Sequence, residues 1–225
     1  MKNNPLSIVM LLVFFLLNVA CSDDINSGSN LRNTETTKPI VSSIISSAEK
    51  KVLTERLIAS SKNGEYAQVK ELIKQGADVN GFDYKGFSPL IRAALNNHYE
   101  IVKYLVNHGA NVNFQNNAGY TALHKASYRG YPEIVEYLLK NGANVDSLNS
   151  HGSTPLLLSV DFYLAGKLNS IDTISILLDH GANPNLEDSF GGSARSIIVY
   201  RMYLIGKNSP RYNSLLRIVD MFDGI

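Results

Sequence analysis

The chain has 225 residues, 44% hydrophobic and 18% charged, with a formal net charge of +1, which leaves room for one or two folded domains of ordinary composition. Lys2 is the only charge among the first twenty residues, so the remainder balances 20 basic against 20 acidic side chains. It therefore lacks a broad electrostatic basis for gripping nucleic acid or an anionic membrane surface. The single cysteine, Cys21, excludes an internal disulfide and any multi-thiolate metal site.

The chain opens with one positive charge and then runs apolar from Leu6 to Leu17 (LSIVMLLVFFLL). At about 12 residues the run suits the apolar core of an export signal and is short of the ~20 that span a bilayer. Leu17-Asn18-Val19-Ala20-Cys21 resembles the lipobox of bacterial lipoproteins, whose signal is cut before a cysteine that then carries acyl chains. Asn18 departs from the apolar residue usual three places before that cysteine. The resemblance implies lipidation at Cys21, export, and a lipid anchor in the bacterial envelope facing the periplasm. Ordinary cleavage near Ala20 and a retained anchor are the alternatives. Residues 1–20 are thus expected to be a signal peptide. Residues 21–47, rich in Ser, Thr, Asn and Asp, are expected to be a flexible tether.

Two glycine ladders organise the rest. Gly76, Gly109, Gly142 and Gly181 follow one another at intervals of 33, 33 and 39 residues, and Gly86, Gly119, Gly152 and Gly191 repeat those intervals. The first ladder opens GADVN, GANVN, GANVD and GANPN. Between the ladders stand FSPLIRAA, YTALHKAS and STPLLLSV. In each unit Ser88, Thr121 or Thr154 is placed to cap a short helix, with proline at the first helical position in two of the three. A second helix carries apolar residues at helical spacing, as in Ile101, Val102 and Leu105, and ends at a glycine.

These phrases closely resemble the ankyrin repeat, with Leu123-His124-Lys125-Ala126 and Glu133-Ile134-Val135 matching its signature almost letter for letter. The resemblance implies an all-α solenoid of stacked helix-turn-helix units of about 33 residues with divergent capping repeats. The expected domain is 48–225: an N-terminal half-repeat at 48–82, repeats at 83–115, 116–148 and 149–187, and a divergent repeat at 188–225. Extra residues near 160–170 and 202–210 are expected in loops.

No catalytic constellation stands out. His108 and His180 precede helix-ending glycines, His124 is the signature histidine that in the family ties turn to turn, His98 falls in a loop and His151 on a turn tip. Gly191-Gly192-Ser193-Ala194-Arg195 fails the nucleophile-elbow pattern, and Gly166-Lys167 lacks the rest of a phosphate loop. The chain is expected to be no enzyme, with no cofactor and no metal.

The resemblance implies instead a protein partner met by turn tips and the inner faces of the first helices. Carried position by position, this gives Tyr84, Lys85, Phe87, Leu95 and Asn96 from one repeat and Asn117, Tyr120, Tyr128 and Arg129 from the next. The third repeat supplies Ser150, His151, Ser153, Asp161 and Phe162. The expectation is a monomeric binding module that touches the membrane through a lipid anchor alone and binds no nucleic acid. An immunity protein against a periplasmic toxin and a secreted effector acting on host proteins are the alternatives.

Overall fold

A computed structural model describes the backbone of residues 34–166 and 170–224. The expected signal peptide, Cys21 and the first part of the expected tether lie outside the described residues. The chain divides between Ile45 and Ser46, two residues before the expected start of the repeats. The first helix, α1 (Thr34–Asn63), covers the second half of the stretch expected to be a flexible tether. Composition misleads there: Ile40, Val41, Ile44 and Ile45 recur at helical spacing inside a Ser/Thr-rich segment.

Helix α2 (Tyr66–Lys74) follows, and four pairs complete the solenoid: α3 (Pro89–Leu95) with α4 (Tyr99–Asn107), α5 (Ala122–Arg129) with α6 (Pro132–Lys140), α7 (Pro155–Leu164) with α8 (Ser170–Asp179), and α9 (Ala194–Ile205) with α10 (Tyr212–Asp223). Helices α3, α5, α7 and α9 form one layer and α2, α4, α6, α8 and α10 the other, each helix packing on its neighbours along the stack. The expected all-α repeat architecture is what the described residues show.

Local chemistry starts and stops these helices as the sequence predicts. The hydroxyls of Ser88, Thr121, Thr154 and Ser193 each accept a hydrogen bond from the backbone N–H three residues on. His108 and His180 each turn a ring nitrogen onto the carbonyl four residues back, at 2.8 and 2.9 Å, satisfying the ends of α4 and α8. Leu90, Leu123 and Leu156 of the inner layer and Ile101, Ile134, Leu138 and Ile174 of the outer layer are fully buried between them. The extra residues of the last two repeats are not confined to loops. Helix α7 has 10 residues and α9 has 12, against 7 and 8 in α3 and α5, so part of each insertion lengthens an inner helix.

Polar side chains join consecutive repeats beside this core. Asn80 donates to the Gly109 carbonyl at 3.0 Å and accepts from the Asn111 amide at 2.7 Å. One repeat on, Asn113 makes the same pair of bonds to Gly142 and Asn144, at 2.9 and 2.8 Å. Asp146 holds that position at the third junction. Its carboxylate accepts from the Asn183 amide at 3.1 Å but, when ionised, has no proton to offer a carbonyl. Burial raises the Asp146 carboxyl above its usual range against the smaller opposing pull of that amide.

The last repeat replaces the buried leucine of the others with Arg195. Its guanidinium bonds Asn185, Asp223 and the Phe222 carbonyl at 2.9, 2.5 and 2.9 Å, clamping loop, α9 and α10 together. On the far side of α9, Val199 is 50% exposed, whereas its counterparts Ala94, Ser127 and Val160 are fully covered by the repeat that follows them.

Two expectations follow for stability. Leu138→Ala should cost about 2–5 kcal/mol in urea unfolding, the range for truncating a buried leucine. Asp146→Asn should stabilise by about 0.5–1.5 kcal/mol at neutral pH by restoring the missing amide donor, read as a higher urea midpoint at unchanged slope.

Candidate functional site

Each repeat carries one tight turn of the same construction. Asp83, Asn116, Asn149 and Asp188 accept two backbone amides apiece through Oδ1, from the residues two and four positions on, at 2.8–3.0 Å. The first residue of each turn also donates its own N–H across the base to the fifth, at 2.9–3.2 Å. Successive tips then bond one another: Asn117 N–H to the Lys85 carbonyl at 3.4 Å, Ser150 to Ala118 at 3.1 Å, and Ser189 to His151 at 2.8 Å. Glycine is required here on two counts. Gly86 and Gly119 have φ of 75°, and a Cβ on either would sit 2.6 or 2.7 Å from the next tip's backbone nitrogen.

The ribbon lifts Tyr84 into solvent at 85% exposure, with Lys85, Asn117, Ser150 and His151 beside it. Along the inner helices Leu95 and Asn96, Tyr128 and Arg129, and Asp161 and Phe162 occupy equivalent positions, partly or fully exposed. The Tyr128 and Phe162 rings meet across the repeat boundary with centroids 5.7 Å apart. Phe87 and Tyr120 are half-buried at the bases of their turns, each under a cation: Arg92 lies 4.1 Å from the Phe87 centroid and Lys125 3.2 Å from that of Tyr120. Removal from water and the charge of Asp188 raise the Asp161 carboxyl above its usual range.

Ser153 departs from its expected role. It is buried, its amide donates to Asn149 and its carbonyl lies 3.1 Å from His124 Nε2, so it joins repeats and does not face a partner. The exposed positions continue one repeat beyond those expected from the sequence. Phe190, at 85% exposure, continues the tips, and Tyr200 and Arg201, both exposed, continue the inner-helix row on α9. The glycine register, 39 residues on, pointed to them, but the fading of the signature after Gly191 obscured it. Phe82 and Phe114, stacked with ring centroids 5.7 Å apart, lie outside the expected set as well. Among the described residues no group of three or more His, Cys, Asp or Glu side chains could hold a metal ion, and no helix is long and apolar enough to cross a membrane. A shallow depression on the outer layer, lined by Lys70, Lys74, Tyr104 and His108, gathers none of the expected site residues.

A comparison with family models finds a match to ankyrin repeats (3 copies) over residues 12–116 and 108–188. The chain belongs to the ankyrin-repeat family. Ankyrin repeats are generally protein–protein interaction modules, a non-catalytic role that agrees with a surface built of tips and helix faces. No curated protein matches the chain.

The ankyrin histidine deserves its place in the signature on physical grounds. His124 is fully buried; its Nδ1 accepts from the Thr121 amide at 3.2 Å, which leaves Nε2–H to donate to the Ser153 carbonyl. Burial drives its imidazole down to about 4, against weaker help from the Ser153 carbonyl. Between that value and the ordinary 6.5 the unfolded chain binds the extra proton, so stability is complete above pH 6.5 and falls as pH drops towards 4. The loss attributable to His124 should reach about 3 kcal/mol. Unfolding of wild type and His124→Gln at pH 7 and pH 4 measures it, and the variant should lose correspondingly less on acidification.

Proposed function

We propose that this protein is a non-enzymatic binding module, held in the bacterial envelope by a lipid on Cys21, that grips a protein partner with its turn tips and inner helices. The observation that carries the reading is the row of aromatic and basic side chains that recurs along the tips and inner helices, between polar positions such as Asn117, Ser150 and Asp161: Tyr84 and Lys85, Tyr128 and Arg129 beside the half-buried Phe162, then Phe190, Tyr200 and Arg201. Tyrosine and arginine are enriched among the residues that dominate interface energies. The row rests on paired helices and a hydrogen-bonded ribbon, so little ordering remains to be done when a partner docks. A photoreactive phenylalanine analogue at Tyr128, in cells making the protein, should crosslink a discrete partner. The same group at Glu133, exposed on outer helix α6, should not. A partner captured only from position 133 would move the interface to the other face and overturn the reading.

With that partner in hand, Tyr128→Ala should weaken binding by about 2 kcal/mol or more, roughly thirtyfold, with helical circular dichroism unchanged. Glu133→Ala should bind as wild type. A toxin at the end of the crosslink would make the protein an immunity factor, and a host protein would make it an effector. Envelope anchoring is tested separately: wild type should take up labelled palmitate and fractionate with membranes, and Cys21→Ser should do neither.

A further inference from the structure

The turn bases of two adjacent repeats are built alike and differ in one charge. In the first, Arg92 lies over the Phe87 ring and forms an ion pair with Asp83, the opening residue of the turn. Burial pushes the Asp83 carboxyl up, but the Arg92 guanidinium and the amides of Phe87 and Lys85 outweigh it and hold the group below its usual range. In the second, Lys125 occupies the place of Arg92 and lies over the Tyr120 ring, while Asn116 occupies the place of Asp83. Asn116 accepts the same two turn amides, from Ala118 and Tyr120. The cation and its aromatic platform are retained and the carboxylate is gone.

Among the described residues neither Lys125 nor Arg129, one helical turn further along α5, forms an ion pair. Burial, together with the charge of Arg129, lowers the Lys125 ammonium to about 8. A half-buried cation beside a like charge loses hydration without recovering it from a counter-ion. An external carboxylate placed there would supply what Asp83 supplies one repeat earlier. Tyr128 and Phe162, in contact just beyond, offer apolar surface on which neighbouring side chains of the same ligand could rest.

Resting on the binding-module reading above, we propose that Lys125 and Arg129 form a carboxylate-receiving subsite, so that the protein partner presents an aspartate or glutamate side chain flanked by apolar residues at the centre of the interface. The neighbouring repeat shows the geometry the partner completes, with a carboxylate meeting a cation held on an aromatic face.

The test is a selection of random twelve-residue displayed peptides on the full chain, followed by affinity measurements on synthetic copies. Enriched peptides should carry Asp or Glu next to an aromatic or aliphatic residue, and raising salt should weaken them. Lys125→Gln should reduce their affinity at least tenfold. Asn116→Asp should do the same while leaving the fold intact, because it restores an internal partner for Lys125 in the manner of Asp83. Lys125→Glu should redirect the selection towards Lys- or Arg-bearing peptides. Acidic peptides that bind Asn116→Asp and wild type equally would overturn the proposal, as would enrichment of neutral peptides alone. In the latter case, sensitivity to Tyr128→Ala would still uphold the inner-helix interface. Peptides indifferent to both Lys125 and Tyr128, or a selection with no binders, would count against subsite and interface together.

Discussion

Side chains that reach from one repeat to the backbone of the next hold this molecule in register. Asn80 and Asn113 each bridge a junction with a donated and an accepted hydrogen bond, and the buried His124 spans the junction after those, nearer the turns, from Thr121 to Ser153. Leucine and isoleucine between the helix layers contribute most of the apolar burial, but apolar contact is non-directional and would tolerate a slide or rotation of one pair on the next. The polar bridges do not, because a slide breaks their paired bonds and leaves the buried His124 imidazole unpaired at a cost comparable to a whole hydrogen bond. The continuous ribbon of tips and the alignment of inner-helix side chains follow from that constraint. The repeats contact only their neighbours, so each junction contributes separately to stability.

Much of this was legible because it repeats. Two ladders of glycine in register locate every turn, and the hydroxyl caps at Ser88, Thr121 and Thr154 locate three of the inner helices. The family resemblance rested on those same letters. Departures from the repeat were harder to interpret. Arg195 reads as decay of the signature, yet in space it ties Asn185, Phe222 and Asp223 together, a purpose visible only once residues 28 apart are adjacent. The extension of α7 and α9 was hidden because an insertion shows its length and not its conformation. The helical stretch from Thr34 was hidden because serine and threonine mask the spacing of its apolar residues.

The surface was less legible than the fold, for a physical reason. Position in the repeat predicts where a side chain points, so Tyr84, Lys85, Tyr128 and Arg129 emerge at the surface as expected. Position does not say whether a group is already engaged. Ser153 is occupied by the repeat-to-repeat bonding, and Arg92 by Asp83. Lys125, at the same station as Arg92, differs because a neighbour nine residues earlier is an amide instead of an acid. Distinguishing an engaged cation from an unengaged one requires the turn and the helix together.

The ribbon of tips also limits how this surface can change. The backbone amides of Lys85, Asn117, Ala118, Ser150, His151, Ser189 and Phe190 all donate within the molecule, to a neighbouring tip or to the acceptor at the base of their own turn. A ligand therefore finds no open strand edge to extend, and backbone pairing, the sequence-blind mode of peptide capture, has little purchase along this ribbon. Recognition falls to the side chains, and exposed tip side chains such as Tyr84, His151 and Phe190 can be exchanged without withdrawing a backbone hydrogen bond. The scaffold thus separates the chemistry that keeps its shape from the chemistry that chooses its partner, and a new specificity can be written at the tips while the frame beneath stays as it is.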